Sequence, residues 1–369
     1  MKKAIIWWLI CLFTGVGWLS DVYSETPNGK IVVTDGVGRS VEIRGDVKRI
    51  VCLGPGALRL ISYLEAVDRV VGVEELEKRA LGGRPYRLAH PELANLPSVG
   101  PGGPESINKK PNMEALLGVS PDVIFITYME AALADEVQKA LNIPVIVLSY
   151  GQFATFDESL YSSLKVAGKV LGKENRAEAI VNFIESVRSD LNNLTKDIPQ
   201  EKKHRVYVGG IGYRGSHGIE STEQHYIPLE WTNSINLANE INAKVGSHVF
   251  SDKEVILKLN PDVIFLDGGG LDLIRQDYQK KPDFYKSLKA FQNGSVYVLF
   301  PFNYYATNVE TVIVDAYVVG KVLYPDKFVD VDIEGKAREI YKFFLGKDVY
   351  DAMKDLYGRP GERVIFDGK

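Results

Sequence analysis

The chain is nearly without cysteine. It has two in 369 residues, Cys11 and Cys52. Cys11 lies inside an N-terminal apolar run and Cys52 inside Ile50-Val51-Cys52-Leu53, where it reads as a small buried hydrophobe. No disulfide framework is available, so stability must come from apolar cores. CxxC, HxxxH and HExxH spacings are absent, which argues against a permanent zinc site. Acids and bases are interspersed at a net charge of −4, with no basic stripe for a nucleic acid. Gly54-Pro55-Gly56-Ala57 lacks the GxGxxG spacing and a P-loop lysine, so a nucleotide has little support. Ser216 and Ser221 lack a GxSxG context, and no convincing nucleophile emerges, so the chain does not read as an enzyme.

Long hydrophobic runs are confined to the N-terminus. Lys2 and Lys3 precede Ile5 to Phe13, the apolar character fades after Leu19, and Val22-Tyr23-Ser24 offers a cleavage site. Residues 1–24 read as a secretory signal peptide; the alternative is a retained anchor. At 45% hydrophobic and 25% charged residues, the remainder is ordinary globular protein, long enough for two domains.

What is present is a repeat. Pro121-Asp122-Val123-Ile124-Phe125 returns unchanged as Pro261-Asp262-Val263-Ile264-Phe265, 140 positions on. Glu114-Ala115-Leu116-Leu117 and Glu254-Val255-Ile256-Leu257 stand before the two copies. Three strand pairs extend the match: Arg49 to Gly54 with Arg205 to Gly210, Val123 with Val263, and Val145 with Val296. A hairpin is expected over Ile31 to Ile43, and β-α-β-α alternation follows it. The fold class is α/β: two Rossmann-like lobes with mainly parallel sheets, a ligand cleft between them, and a long rigid helix joining them. That helix is expected over Asn175 to Leu194, after one over Leu160 to Leu171. The N-terminal lobe spans 25–152, the connecting helical region 153–200, the C-terminal lobe 201–330, and a C-terminal helix and polar tail 331–369. The excess length of the second lobe falls in a loop from Gly268 to Pro282.

In open α/β sheets, ligands sit at the carboxyl ends of strands. The segments there are Gly54-Pro55-Gly56, Tyr128-Met129-Glu130, Tyr150-Gly151-Gln152, Tyr213 to Gly218, Asp267 to Gly270 and Pro301 to Tyr305, with Gly82 to Arg87 beside them. The candidate ligand residues are therefore Tyr86, Arg87, Tyr128, Tyr150, Tyr213, Arg214, His217, Glu220, Asp267, Tyr304 and Tyr305. Tyrosine supplies flat surface and a hydroxyl, and its phenolate is a hard ligand for Fe(III). Arginine matches oxyanions, and glycine admits close backbone approach. Such a lining suits a polar, anionic or metal-chelating small molecule. His217, Glu220 and His225 read either as a metal site or as a hydrogen-bonded loop, the loop being the better reading of His225.

On the Arg49-Ile50-Val51 strand, the twin Pro-Asp-Val-Ile segments, the connecting helix and Leu323-Tyr324-Pro325-Asp326-Lys327-Phe328, the chain resembles a known family. These are the periplasmic binding proteins of iron-siderophore and vitamin B12 ABC importers, of the helical-hinge class. The resemblance implies a monomeric periplasmic receptor that hands its ligand to a two-subunit permease with a cytoplasmic ATPase. It implies permease docking through Glu114 and Glu254; as acids at the start of their helices, these two also suit the helix dipole. It implies no protein-held cofactor, but a ligand that carries Fe(III), cobalt or an oxyanion metal. The expected ligand is a ferric siderophore or similar chelate; cobalamin, haem and molybdate or tungstate remain open.

Overall fold

The computed structural model describes residues 29–79, 82–151, 156–242 and 248–366. The expected signal peptide and Gln152 lie outside them. Among the described residues no helix is long and apolar enough to cross a membrane.

β1 (Lys30–Thr34) and β2 (Ser40–Arg44) pair antiparallel as the expected hairpin. The first lobe's sheet uses β3 (Ile50–Leu53), β4 (Val70–Gly72), β5 (Val123–Thr127) and β6 (Val145–Leu148), in the order β4-β3-β5-β6. The second lobe's uses β7 (Arg205–Gly209), β9 (Ile235–Asn236), β11 (Val263–Asp267) and β12 (Val296–Leu299), in the order β9-β7-β11-β12. The pairs in both sheets are parallel and the two orders correspond strand for strand. The repeated segments form the central strands β5 and β11, every residue of which is buried. Burial on both faces is why they read as unbroken apolar runs rather than as alternating ones.

The aspartates of the repeat anchor this arrangement. Asp122 Oδ2 accepts from the backbone N–H groups of Lys48 and Arg49 at 2.8 Å each, and Asp262 Oδ2 from Arg205 N at 3.0 Å. Backbone bonds run the other way, Asp122 N to Arg49 O at 2.7 Å and Asp262 N to Arg205 O at 2.9 Å. Each aspartate thus locks the start of the central strand to the start of its neighbour.

The connecting helix spans Glu174–Thr195, following Glu158–Leu171 with Gly172 as its left-handed cap. Its 22 residues extend about 33 Å. Ala177, Ile180, Ile184, Val187 and Leu191 form one buried stripe against the Glu158–Leu171 and Val309–Leu323 helices.

Three regions depart from expectation. The segment expected as a loop from Gly268 to Pro282 holds a helix, Leu271–Lys280, because Ile274 and Tyr278 bury one face of it. The polar tail folds back on the second sheet: a helix covers Tyr350–Tyr357, and Val364 N bonds Val296 O at 2.9 Å. Val364 and Phe366 then pack on the second lobe's core. Finally, β8 (Ser221–Glu223) and β10 (His248–Phe250) form an antiparallel ribbon that three-residue strands do not announce. Cys52 is buried as expected.

Candidate functional site

The carboxyl ends of the two sheets face one another through loops that touch directly. From the first lobe come the turn after β3, Glu74 after β4, and Gly100 to Gly103. From the second comes the loop after β12. Tyr305 Oη donates to Glu74 Oε2 at 2.6 Å and accepts from Gly103 N at 3.0 Å. Glu74 Oε1 accepts from Gly54 N at 3.1 Å. Burial pushes the Glu74 carboxyl up to about 7, against the pull of these donors.

A second link runs through Arg59, which sequence reasoning did not single out. Arg59 is fully buried in the Ala57–Tyr63 helix. Its Nε donates to Asn308 Oδ1 and its Nη2 to the Tyr304 carbonyl, each at 2.8 Å. Asn308 Nδ2 continues to Gly83 O at 2.8 Å. The only advance signal was a charge inside the otherwise apolar run Ala57-Leu58-Arg59-Leu60.

Several candidates stand one layer behind the cleft surface. Tyr86 is buried beneath the Arg59 guanidinium, 4.9 Å from ring centroid to Cζ, and donates to Glu77 Oε1 at 2.7 Å. Arg87 is buried with its Nε on the Glu77 carbonyl at 2.8 Å. Tyr150 is buried too, with Oη donating to Gly56 O at 3.1 Å, and burial raises its phenol to about 12. Gly56 is obligatory there: its φ is +82° and a Cβ would stand 2.6 Å from the Tyr150 hydroxyl. In this arrangement these three offer a ligand no surface. Tyr128 is half-buried beside them with a left-handed φ of 55°.

The second lobe presents an aromatic wall. Tyr213 stacks on His248 with centroids 4.2 Å apart and planes 11° apart. Phe250 meets the His217 ring edge-on at 4.9 Å and the His248 ring at 4.7 Å. His217 Nε2 bonds the Tyr213 carbonyl at 2.7 Å, and His248 Nε2 bonds Ser221 Oγ at 2.8 Å. Burial, with His217 beside it, lowers His248 to about 4, so it is neutral at pH 7. Phe250 is 56% exposed. His248 and Phe250 were missed by the sequence reading because they precede a helix rather than follow a parallel strand. Asn303 Nδ2 to Gly212 O, 2.8 Å, ties this wall to the loop that carries Tyr304 and Tyr305. The Tyr304 side chain, 42% exposed, lies 5.3 Å from the Arg84 guanidinium. Arg214 is exposed with its guanidinium 5.8 Å from the Tyr213 ring.

The three suggested metal ligands do not converge. Glu220 is paired with Lys253 at 2.6 Å, and Lys253 is shared with Asp277 at the same distance. His225 pairs with Glu230 at 3.0 Å and lines a cavity of about 590 Å³ with Trp231 and Arg188, on the side of the connecting helix. Among the described residues no three His, Cys, Asp or Glu side chains are grouped to hold a metal ion. Asp267, at the end of β11, is buried; it accepts from Gly269 N at 2.7 Å, and burial raises it to about 7. A first-lobe pocket of about 230 Å³ is lined by Gly54, Glu74, Gly102, Ser106, Asn108 and Lys110.

Two matched parallel-sheet lobes, spanned by one rigid helix and meeting at their strand ends, define a two-lobed solute-binding protein of the helical-hinge type. The family model described as periplasmic binding protein matches residues 50–301, and the chain belongs to that family. It is 25% identical over 335 residues to the molybdate-binding protein MolA of Haemophilus influenzae, covering 85% of this chain and 90% of that one. It is 24% identical over 311 residues to the ABC transporter substrate-binding lipoprotein YvrC of Bacillus subtilis, covering 81% and 90%. The solved structure of MolA bound to molybdate superposes with a TM-score of 0.69 at 22% identity, covering 86% of this chain and 98% of that one.

Proposed function

We propose that this chain is the extracytoplasmic receptor of an ABC importer and that it captures a small metal chelate, such as a ferric siderophore, between its lobes. The observation that carries the ligand class is the Tyr213–His248–Phe250 wall with His217 at its edge. A tetrahedral oxyanion gains little from exposed aromatic faces; it needs N–H donors and positive charge. A neutral His248 supplies no charge. A chelate with flat, partly apolar ligand arms gains area and ring contact on such a wall. Tyr304 and the Arg214 guanidinium, both exposed, complete a lining suited to an anionic chelate. The hand-over partner is a two-subunit permease with its ATPase, met by Glu114 and Glu254. The receptor works as a monomer, exported by the N-terminal segment.

A second reading is an oxyanion receptor. The relative named for molybdate favours it, as does the first-lobe pocket with Gly54, Gly102 and Lys110 at its walls. Glu74 and Glu105 in the same lining oppose an anion there.

The test is a thermal-shift and tyrosine-fluorescence screen of the mature protein against ferric hydroxamates, ferric catecholates, haem, cobalamin, molybdate and tungstate. A ferric chelate should raise Tm and quench tyrosine emission, since only a bound ligand stabilises the native state. A shift by molybdate or tungstate alone would replace the chelate with the oxyanion. Silence across the panel would remove both readings.

A further inference from the structure

Glu74 is a buried carboxylate, 4% exposed, and the groups that hold it are neutral. Its Oε1 accepts from the Gly54 N–H in the turn after β3, at 3.1 Å. Its Oε2 accepts from the Tyr305 phenol in the loop after β12, at 2.6 Å. One donor belongs to each lobe. The buried cations Arg84 and Arg87 go to Glu77 instead, at 3.1 Å and 3.8 Å. Glu77, another acid, adds to the push of burial on the Glu74 carboxyl. A buried carboxylate is ordinarily met by a cation, and holding one with neutral donors alone costs stability. Two donors that converge on a carboxylate from opposite lobes form a seat for an anionic oxygen, and here a side chain of the protein fills it.

The backbone around the seat is shaped to it. Gly103 N donates to Tyr305 Oη at 3.0 Å, which leaves the phenol proton for Glu74. Gly102 has a φ of +67°, and a Cβ there would stand 2.8 Å from Glu74 Cβ and 3.0 Å from its Cδ. Only glycine lets this loop close on the carboxylate. The seat opens on the first-lobe pocket of about 230 Å³, which Gly54, Glu74 and Gly102 line together. Whole organic ligands need pockets of roughly 300–1,000 Å³, so this one suits a small anion or a single arm of a larger chelate.

Resting on the receptor reading, we propose that Glu74 is a resident stand-in for the ligand, its carboxylate filling the seat that an anionic oxygen of the ligand takes on binding. That oxygen belongs to a small oxyanion or to a carboxylate arm of a metal chelate. On exchange the Gly54 N–H and the Tyr305 O–H pass from Glu74 to the ligand, so the tie between the lobes persists while its middle member changes. Two anions repel in one buried seat, so Glu74 must swing out or take a proton. Burial raises its carboxyl to about 7, which opens the proton route, and binding should strengthen as pH falls from 8 to 6. The titratable groups that face Glu74 are Cys52 on β3 and Tyr305, both kept protonated by burial, and Glu77 in its pairs with Arg84 and Arg87. Across the pocket stand Lys109, paired with Glu105 at 3.7 Å, and Lys110, paired with Glu136 at 2.7 Å.

The experiment is calorimetric titration of molybdate and of ferric citrate into the mature native protein, Glu74→Gln and Glu74→Ala, at pH 8 and pH 6. Glu74→Gln keeps the shape of the side chain and removes its charge; Glu74→Ala clears the seat. Circular dichroism and Tm establish that each is folded, and Glu74→Gln decides alone if Glu74→Ala is not. At pH 8 the variants should bind at least one probe on the order of tenfold more tightly than the native protein. A gain for molybdate assigns the seat to a small oxyanion, and a gain for ferric citrate alone assigns it to a chelate arm. The ratio of variant to native affinity should shrink at pH 6, where the native carboxyl is largely protonated. Variants that bind both probes no more tightly than the native protein, or that bind neither, would overturn the stand-in. A ferric chelate or haem that stabilises the native protein and Glu74→Gln alike would leave the receptor reading in place and remove this inference alone.

Discussion

The phenol of Tyr305 donates a 2.6 Å hydrogen bond to Glu74 Oε2 across 231 positions of chain and from one lobe to the other. Tyr305 holds a left-handed φ of 51° to do so. A non-glycine residue keeps that conformation only where its surroundings over-determine it, and Gly103 N and Glu74 together do so. One carboxylate thus joins the turn after β3 to the loop after β12.

Tyr305→Phe would strip a buried carboxylate of its shortest donor. At pH 8, where Glu74 is ionised, the loss should be about 1.5–3 kcal/mol, as for hydrogen bonds to charged groups. Burial raises Glu74 to about 7 in the folded state, so at pH 5 it is mostly neutral and the loss should be smaller. Urea denaturation of both proteins at the two pH values reads this directly. An equal loss at both would mean the phenol serves packing alone.

Asp267 gives a pH signature of its own. Its folded-state value is raised by burial to about 7 from a usual 3.8. The folded state therefore holds its proton more tightly than the unfolded one, and its contribution to stability falls as pH rises from about 4 to 7. Asp267→Asn keeps an acceptor for Gly269 N and removes the charge. It should raise Tm at pH 8, with the gain shrinking as pH falls and vanishing near pH 4. A pH-independent difference in melting curves would contradict this.

Arg59 is buried and makes 2.8 Å bonds to Asn308 and to the Tyr304 carbonyl. Arg59→Met leaves those acceptors unmet and frees the loop that bears Tyr304 and Tyr305. A cost of about 3–5 kcal/mol is expected, the range for breaking a buried charged contact. Arg59→Lys should recover little of it, because one ammonium cannot reproduce a forked pair of donors. Calorimetry on the three proteins ranks them.

The parts of the fold legible in the sequence are those where burial writes a long pattern. The fully buried strands β5 and β11 stand out as apolar runs that open on the same Val-Ile-Phe, and the connecting helix as a periodic stripe. The helix Leu271–Lys280 passes for loop in the sequence because its apolar face is short and set among charges. The β8–β10 ribbon has three residues a side, too few for any period. The site was legible by address, since strand ends are visible, but not by depth. Tyr86, in the short helix Pro85–Ala89, and Tyr304, in the loop after β12, both read as tyrosines near strand ends, yet one is sealed under Arg59 and the other is open. Only the long-range contacts decide that, and a local window of sequence does not contain them.

The docking role proposed for Glu114 and Glu254 separates transport from binding. Both are exposed in the first turns of their helices, where a lysine costs only the small dipole term. Reversal of both charges should lower uptake in cells at least tenfold while leaving ligand affinity of the purified protein within about twofold, on the scale where 1.4 kcal/mol is tenfold. A matching fall in ligand affinity would place these residues in the cleft instead.

The aromatic wall makes the sharpest statement about the ligand. Phe250 is 56% exposed and contacts both His217 and His248, so it is a surface built before any ligand arrives. Removing it should lower the Tm of the empty protein only slightly, because more than half of its surface is already exposed. Phe250→Ser should then weaken chelate binding by roughly tenfold, the loss expected for one large apolar contact. Tyr213→Ala should weaken it further, since it also releases the stacked His248. Titration by tyrosine quench, set beside unliganded Tm values, distinguishes this from general damage. For an oxyanion ligand the order inverts: Phe250→Ser would be silent, and substitutions at Lys110 and around Gly102 in the first-lobe pocket would abolish binding.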